Sequence, residues 1–171
     1  SPEKAIVDGI ETVLQNKNLK AEDIKRFAHG TTVGTNALIE RKCGKVALVT
    51  SEGFRDLLEI GRQTRPTVYD MHLDHPKPLV DRELRFEVPQ RRLADGTSYV
   101  KLDEGALEQV ALAIKEQEVD CVVVCFLHSY AFPEDEISAE KILKAYLPNK
   151  VRVLTSSSVF PEFREYERFS T

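Results

Sequence analysis

Apolar positions recur in two rhythms along the chain. Residues 3–16 carry Ala5, Ile6, Ile10, Val13 and Leu14 near helical spacing with charges between them, which predicts an amphipathic helix. Asn16-Lys17-Asn18 ends it, and Ala21-Glu22-Asp23-Ile24 leads into a short strand that stops at His29. A second helix follows, with Val33, Ala37 and Leu38 on one face. Lys42-Cys43-Gly44 reads as its C-cap, Gly44 being able to take positive φ. Lys45 to Thr50 (KVALVT) is a continuous apolar run of the kind that parallel sheets bury on both faces. Ser51-Glu52-Gly53 then turns into a short helix from Phe54 to Ile60. This αβαβα opening predicts a parallel sheet with crossover helices.

From Gly61 the rhythm changes. Pro66, Pro76 and Pro78 keep residues 61–80 irregular or extended. Leu84 to Val88 alternates apolar and polar as a half-exposed strand does. Ala94-Asp95-Gly96-Thr97 is a hairpin-type turn, from which Ser98 to Leu102 returns as a second strand. Residues 61–102 are thus expected to be an extended excursion or a small antiparallel lobe. Asp103 then caps a helix from about Glu104 to Glu116. Asp120 to Leu127 (DCVVVCFL) is the strand expected to be most strongly buried. Pro133 to Ala145 form the next helix and Val151 to Leu154 the last strand, and Thr155 to Ser158 lead into a helical segment around Pro161 to Arg168. The fold class is α/β, one domain over residues 1–171, with a mixed, mainly parallel sheet.

The totals narrow the function classes. A length of 171 residues, 42% hydrophobic and 30% charged, suits an ordinary globular domain. A net charge of −4 points to neither nucleic acid nor an anionic membrane. No apolar run approaches the roughly 20 residues that span a bilayer, and the chain starts with a polar helix rather than a signal peptide. Cys121 and Cys125, four residues apart in one strand, would stand roughly 13 Å apart, too far for a disulfide or a shared metal. They read as small buried hydrophobes of a cytoplasmic protein.

Candidate chemistry gathers at strand ends. His29, Thr31, Thr32 and Asn36 lie where a strand's carboxyl end meets a helix N-terminus, which Thr31 or Thr32 can cap. In open α/β folds ligands sit at such places, and an anion suits the helix end. An ordinary capped βα turn uses the same residues. His128-Ser129-Tyr130 and Thr155 to Ser158 follow two further strands, so in a parallel sheet all three clusters share one edge. Each alone is equally a polar loop. Arg62 and Arg65 place two guanidinium groups after a helix, suited to phosphate or carboxylate, or simply to the helix dipole. Asp70, His72, Asp74 and His75 have ligand chemistry, but neighbouring Pro76 and Pro78 favour a solvated loop, and no metal is assigned to them. No P-loop, G-x-G-x-x-G or G-x-S-x-G occurs.

The stretches HGTTVGTNALIERK, SEGFRDLLEIGRQTRPTVYDMH, CFLHSYAFPEDE and FREYERFST, in that order, resemble the N-terminal region of the hydantoinase A/5-oxoprolinase family. The resemblance covers nearly the whole chain and implies part of the actin-like ATPase (sugar kinase/Hsp70/actin) fold. It implies a cytoplasmic, ATP-dependent cyclic amide hydrolase that uses ATP and Mg²⁺ to phosphorylate a carbonyl oxygen before ring opening. The alternatives are the nucleotide-using subunit of an acetone/acetophenone-type carboxylase, and a non-catalytic regulatory or assembly module of the same fold. A hydantoinase B-type partner subunit or a homo-oligomer is implied as well. On this reading His29 is catalytic. Thr31, Thr32, Asn36, Arg62 and Arg65 bind substrate or phosphate, while His128, Ser156, Arg164, Glu165 and Tyr166 line a cleft or a domain interface. The family's D-x-G-G-T-F-T-D phosphate loop is missing, and the pattern breaks off at Thr171. The expectation is therefore an excised domain, binding no cofactor and inactive alone.

Overall fold

In the computed structural model, residues 2–26, 28, 30, 32–64, 69–70 and 76–171 are described. They fall into two compact units, residues 1–40 and 41–171.

The first unit begins with helix α1 (Pro2–Lys17), whose Ile6, Ile10 and Leu14 form a half-buried stripe. Asn18 ends it in the left-handed region at φ 53°, and the Leu19 N–H closes back on the Leu14 carbonyl. Such an ending satisfies a carbonyl that the last turn leaves open. Ala21–Asp23 is a single 3-10 turn, held by the Asp23 carboxylate accepting from the Lys20 N–H at 2.8 Å. The expected short strand ending at His29 is not formed by its described residues: Lys25, Arg26 and Ala28 lie in no strand. Phe27 and His29 lie outside the described residues. Helix α2 (Val33–Ile39) follows.

The second unit holds a four-stranded sheet in the order β2-β1-β5-β6, every pairing parallel. Its strands are β1 (Val46–Ser51), β2 (Arg85–Val88), β5 (Cys121–Cys125) and β6 (Arg152–Thr155). A two-stranded antiparallel ribbon, β3 (Arg91–Arg92) and β4 (Ser98–Val100), stands apart from that sheet. Short helix α3 (Leu57–Ile60) follows β1. Helices α4 (Glu104–Glu116) and α5 (Glu134–Tyr146) cover one sheet face, and short helices α6 (Ser156–Val159) and α7 (Glu165–Ser170) end the chain.

Side chains alternate across the pleat. Ala47, Val49, Val122, Val124 and Val153 point to the face where Leu107, Ala111, Ile114, Ala139 and Leu143 close the main core. Leu48 and Cys125 point the other way, to Phe169 of α7 and to Leu57 and Leu58. On that second face Val46, Leu48, Cys121, Val123 and Leu154 border a groove of about 430 Å³. Hence β1, and not β5 as expected, is the most continuously buried strand, since Cys121 and Val123 are only half covered.

Two other expectations change. Residues 85–88 do not open an antiparallel hairpin; they pair parallel with β1, while Pro89, which has no N–H to donate, separates them from the ribbon. The ribbon's turn is where expected, with the Asp95 carboxylate accepting from the Thr97 N–H at 2.8 Å. Arg41, at φ 54°, and not Gly44, takes the left-handed conformation after α2. Gly44 serves close approach: a Cβ there would stand 2.8 Å from Oδ2 of Asp120, the atom that accepts from the Lys45 N–H.

Asp103 caps α4 as expected, accepting from the Ala106 N–H at 2.9 Å. Asp103→Ala is expected to cost about 1 kcal/mol, the usual worth of such a cap, read as a lowered urea midpoint with unchanged slope.

Candidate functional site

Because the four strands run parallel, their carboxyl ends form one edge: Ser51 to Gly53 after β1, Phe126 to Tyr130 after β5, and Ser156 to Ser158 after β6. Two side-chain networks organise it, both starting in the first turn of α5. Glu136 is fully buried, and its carboxylate accepts four hydrogen bonds. Oε1 takes the Phe126 N–H at 2.9 Å and the Ser156 hydroxyl at 2.6 Å. Oε2 takes the N–H and the hydroxyl of Ser157 at 2.9 and 2.7 Å. A carboxylate out of water needs this many donors to offset its lost hydration.

Arg168, also buried, completes that network from α7. Its guanidinium donates to the Phe126 carbonyl at 2.8 Å, to the Ser156 hydroxyl at 3.1 Å and to the Glu162 carbonyl at 2.6 Å. The Ser156 proton is committed to Glu136, so Ser156 accepts from both Arg168 and Ser129, whose hydroxyl lies 3.2 Å away. The second network runs through Asp135. It accepts from the Gln90 amide at 2.8 Å and grips Arg92 through both carboxylate oxygens, at 2.9 and 3.1 Å. Gln90 in turn accepts from the Ser51 hydroxyl at 2.6 Å. Glu87 shapes the turn after β1 by accepting from the Gly53 N–H at 2.8 Å.

The residues expected to carry chemistry are distributed as follows. His29, Thr31 and Arg65 lie outside the described residues, as do His72, Asp74 and His75 of the ligand-like run; Asp70 is described. Among the described residues no group of three His, Cys, Asp or Glu could hold a metal ion. Thr32 occupies the N-cap position of α2, but its hydroxyl caps no backbone N–H and stands 3.4 Å from the Asn36 amide. The backbone at Thr32 (φ −107°, ψ 12°) departs from the extended conformation usual for a capping residue.

Arg62 has a carboxylate of its own chain. Its Nε donates to Glu167 at 2.8 Å, and its guanidinium lies 5.9 Å from the Tyr166 ring centroid. Partial desolvation pushes the Glu167 carboxyl up, but hydrogen bonding from its own backbone and from Arg62 outweighs it and holds the group below its usual range. Tyr166 also packs against Gly61. Arg164 is exposed beside the Phe163 ring, and Glu165 opens α7 half-buried. Ser156 is buried, its hydroxyl directed into the Glu136–Arg168 network. His128 has a left-handed backbone at φ 57°, and its buried Nδ1 has no hydrogen-bond partner. Burial pushes the Cys125 thiol far above its ordinary range, which disfavours the reactive thiolate.

Glu136, Arg168 and Asp135 were not singled out by sequence reasoning, whereas Ser129 stood in the candidate cluster after β5. One signal was present: Glu136 shares the buried spacing of Ala139 and Leu143 on α5, a polar residue at an apolar-face position.

A family model described as the hydantoinase/oxoprolinase N-terminal region matches residues 1–147. The chain belongs to this family. It is 40% identical, over its whole length, to an uncharacterised protein of Methanocaldococcus jannaschii, of which it covers 25%. It is 38% identical over 145 residues to caprolactamase subunit alpha of Pseudomonas jessenii, covering 84% of this chain and 21% of the relative. The crystal structure of the ATP-dependent caprolactamase from that organism superposes on 96% of this chain with a TM-score of 0.81 and 34% identity, over 24% of its own length. Nucleotide-free acetone carboxylase superposes on 76% of the chain and 20% of its own, with a TM-score of 0.69 and 27% identity. The mainly parallel α/β fold of this hydantoinase/oxoprolinase chain is thus that of the two ATP-dependent enzymes. The chain spans about a quarter or less of the length of these relatives. No helix among its described residues is long and apolar enough to cross a membrane.

Proposed function

We propose that this chain is the N-terminal domain of an ATP-dependent cyclic amide hydrolase, which phosphorylates a ring carbonyl oxygen before water opens the ring. The observation that carries the reading is the likeness to ATP-dependent caprolactamase over 96% of the chain. A lactam is a cyclic amide, as are hydantoins and 5-oxoproline. An unstrained amide resists water, and phosphorylating its oxygen creates the leaving group that the reaction otherwise lacks. Such a step needs substrate and phosphate held in line and the developing charge neutralised.

His29, Thr31, Thr32 and Asn36 are assigned to the substrate or γ-phosphate side of that chemistry, with His29 as the proton-transfer group. Arg62 and Arg65 are assigned to a substrate carboxylate or phosphate. For Arg62 this means exchanging one anion for another, because Glu167 already occupies its guanidinium. His128, Ser156, Arg164, Glu165 and Tyr166 are assigned to the cleft rim or to a domain interface, Ser156 from within the buried network. The described residues supply no donor set for Mg²⁺, and the sequence has no glycine-rich phosphate loop. The triphosphate and its cation therefore do not fit the described residues alone. Their site belongs to a longer protein, working in the cytoplasm with a partner subunit of the hydantoinase B type or as a homo-oligomer, whereas the segment by itself turns nothing over.

A second reading, the nucleotide-using subunit of a ketone carboxylase, is favoured by the acetone carboxylase likeness. The two are separated by phosphate release from Mg-ATP by the longer protein. The substrates are caprolactam, 5-oxoproline, hydantoins, and acetone with bicarbonate, each with and without a partner subunit. Release stimulated by one cyclic amide, with ring-opened product in step, is expected. Stimulation by acetone with bicarbonate alone would transfer the protein to the carboxylases. No substrate-linked release at all would favour a non-catalytic module of the same fold.

A further inference from the structure

Phe126 is the first residue beyond β5, and both of its peptide groups are held by charged side chains. Glu136 accepts its N–H at 2.9 Å from one side, and Arg168 donates to its carbonyl at 2.8 Å from the other. The two clamping groups are joined through the Ser156 hydroxyl. A strand end could be satisfied by ladder neighbours or water at far smaller desolvation cost. Two residues later the chain takes a left-handed turn at His128, a conformation uncommon outside glycine and, among the other residues, most often adopted by asparagine, aspartate and histidine. There the imidazole is held edge-on to the Tyr130 ring, 6.2 Å between centroids, with its Nδ1 buried and unpartnered. A strained backbone and an unsatisfied ring nitrogen persist only where the surroundings over-determine them. The His128 carbonyl accepts from the Ala131 and Phe132 N–H groups, and the clamped Phe126 lies two residues before it. Nδ1 being without a partner, Nε2 is the ring atom left to make a hydrogen bond, and a proton there makes the imidazole a donor.

We propose that Glu136 and Arg168 are positioning residues that fix His128 at the carboxyl edge, with its Nε2–H as a donor to substrate oxygen. The proposal rests on the cyclic amide reading for the identity of that oxygen, but the placement of His128 does not depend on it. α7 gives the clamp a second reach. Next to Arg168, Glu167 holds Arg62, and Tyr166 packs against Gly61. Consecutive residues of one short helix thereby tie the loop after β5 to the loop after α3.

The test is Glu136→Gln, which keeps the shape but places an amide N–H against a backbone donor. In the 171-residue chain, hydrogen exchange at the Phe126 and Ser157 amides is expected to accelerate about tenfold or more. Exchange at Ala47 to Thr50 in β1 should stay as in the parent, while the His128 imidazole nitrogen resonances move. In the longer protein the same variant is expected to lower kcat for lactam-dependent phosphate release by about 10- to 100-fold, with KM for the lactam within about twofold. Should Glu136→Gln fail to fold, Ser157→Ala removes one of the four donors and is read on the same resonances. Unmoved His128 resonances, with Phe126 exchange unchanged, would overturn the clamp. A shifted His128 with unchanged kcat would overturn its role in the reaction. If the parent enzyme turns over no cyclic amide, the functional reading fails, and the resonances still decide the placement.

Discussion

Arg168→Met is expected to destabilise the 171-residue chain by about 3–5 kcal/mol, the usual cost of removing one member of a buried charged network. The physical reason lies in what is left behind. Methionine fills much of the same volume, so packing against the Tyr130 ring, now 5.8 Å from the guanidinium carbon, is partly kept. The Phe126 and Glu162 carbonyls lose their donors, and the buried Glu136 carboxylate loses the only cation joined to it through Ser156 among the described residues. Urea unfolding followed by circular dichroism reads the change as a lower midpoint with unchanged slope. A loss below about 1 kcal/mol, as for a surface residue, would mean that water reaches the network. Arg168→Lys should fall between, since one ammonium cannot serve three acceptors that the planar guanidinium reaches together.

Ile114→Ala is the second large effect, expected at about 2–5 kcal/mol. Ile114 is fully buried on the inner face of α4, in the cluster of Leu107, Ala111, Val122 and Leu143. The cavity cannot close easily. The central strands β1 and β5 are hydrogen-bonded on both sides, and α4 is packed against both β2 and α5. Leu112, two residues earlier on the same helix, is 43% exposed, and Leu112→Ala should change stability by no more than about 0.5 kcal/mol. The pair is measured in one set of urea curves. Similar losses at both positions would show that helix propensity, rather than burial, sets the scale.

In the second unit the helices and the apolar strands were readable in advance from periodicity, whereas the caps expected around α2 were not formed. Helix α4 runs from Glu104 to Glu116 behind its Asp103 cap, as the pattern requires, and β1, β5 and β6 fall on the apolar runs assigned to them. What could not be read is buried polarity, because a charged residue has the same letter whether water or a hydroxyl faces it. Arg85 sat at a polar position of an alternating strand and was expected in solvent. Instead it is buried, donating to the Val80 carbonyl and to Glu59 at 2.9 Å. Strand pairing is equally invisible locally. Leu84 to Val88 could have joined Ser98 to Leu102 across a good hairpin turn, yet 85–88 aligns with β1, more than thirty residues earlier. At the carboxyl edge the last motif was legible as a unit, and Tyr166, Glu167 and Arg168 are the members whose side chains reach the loops after α3 and β5. Only packed neighbours such as Gly61, Arg62 and Phe126 distinguish them.

The parallel pairing of β1 with β5 also has a consequence in time. Val46 aligns with Cys121, a separation of 121 − 46 = 75 residues. At a synthesis rate of about 5–20 residues per second, the central strand leaves the ribosome roughly 4–15 seconds before its partner exists. During that interval the most continuously buried strand of the second unit has an unmade neighbour on the β5 side, and β2 is itself more than thirty residues away. Cotranslational folding of this unit therefore waits for β5 to emerge, and a nascent chain stalled before residue 121 would expose β1 as an edge open to other chains.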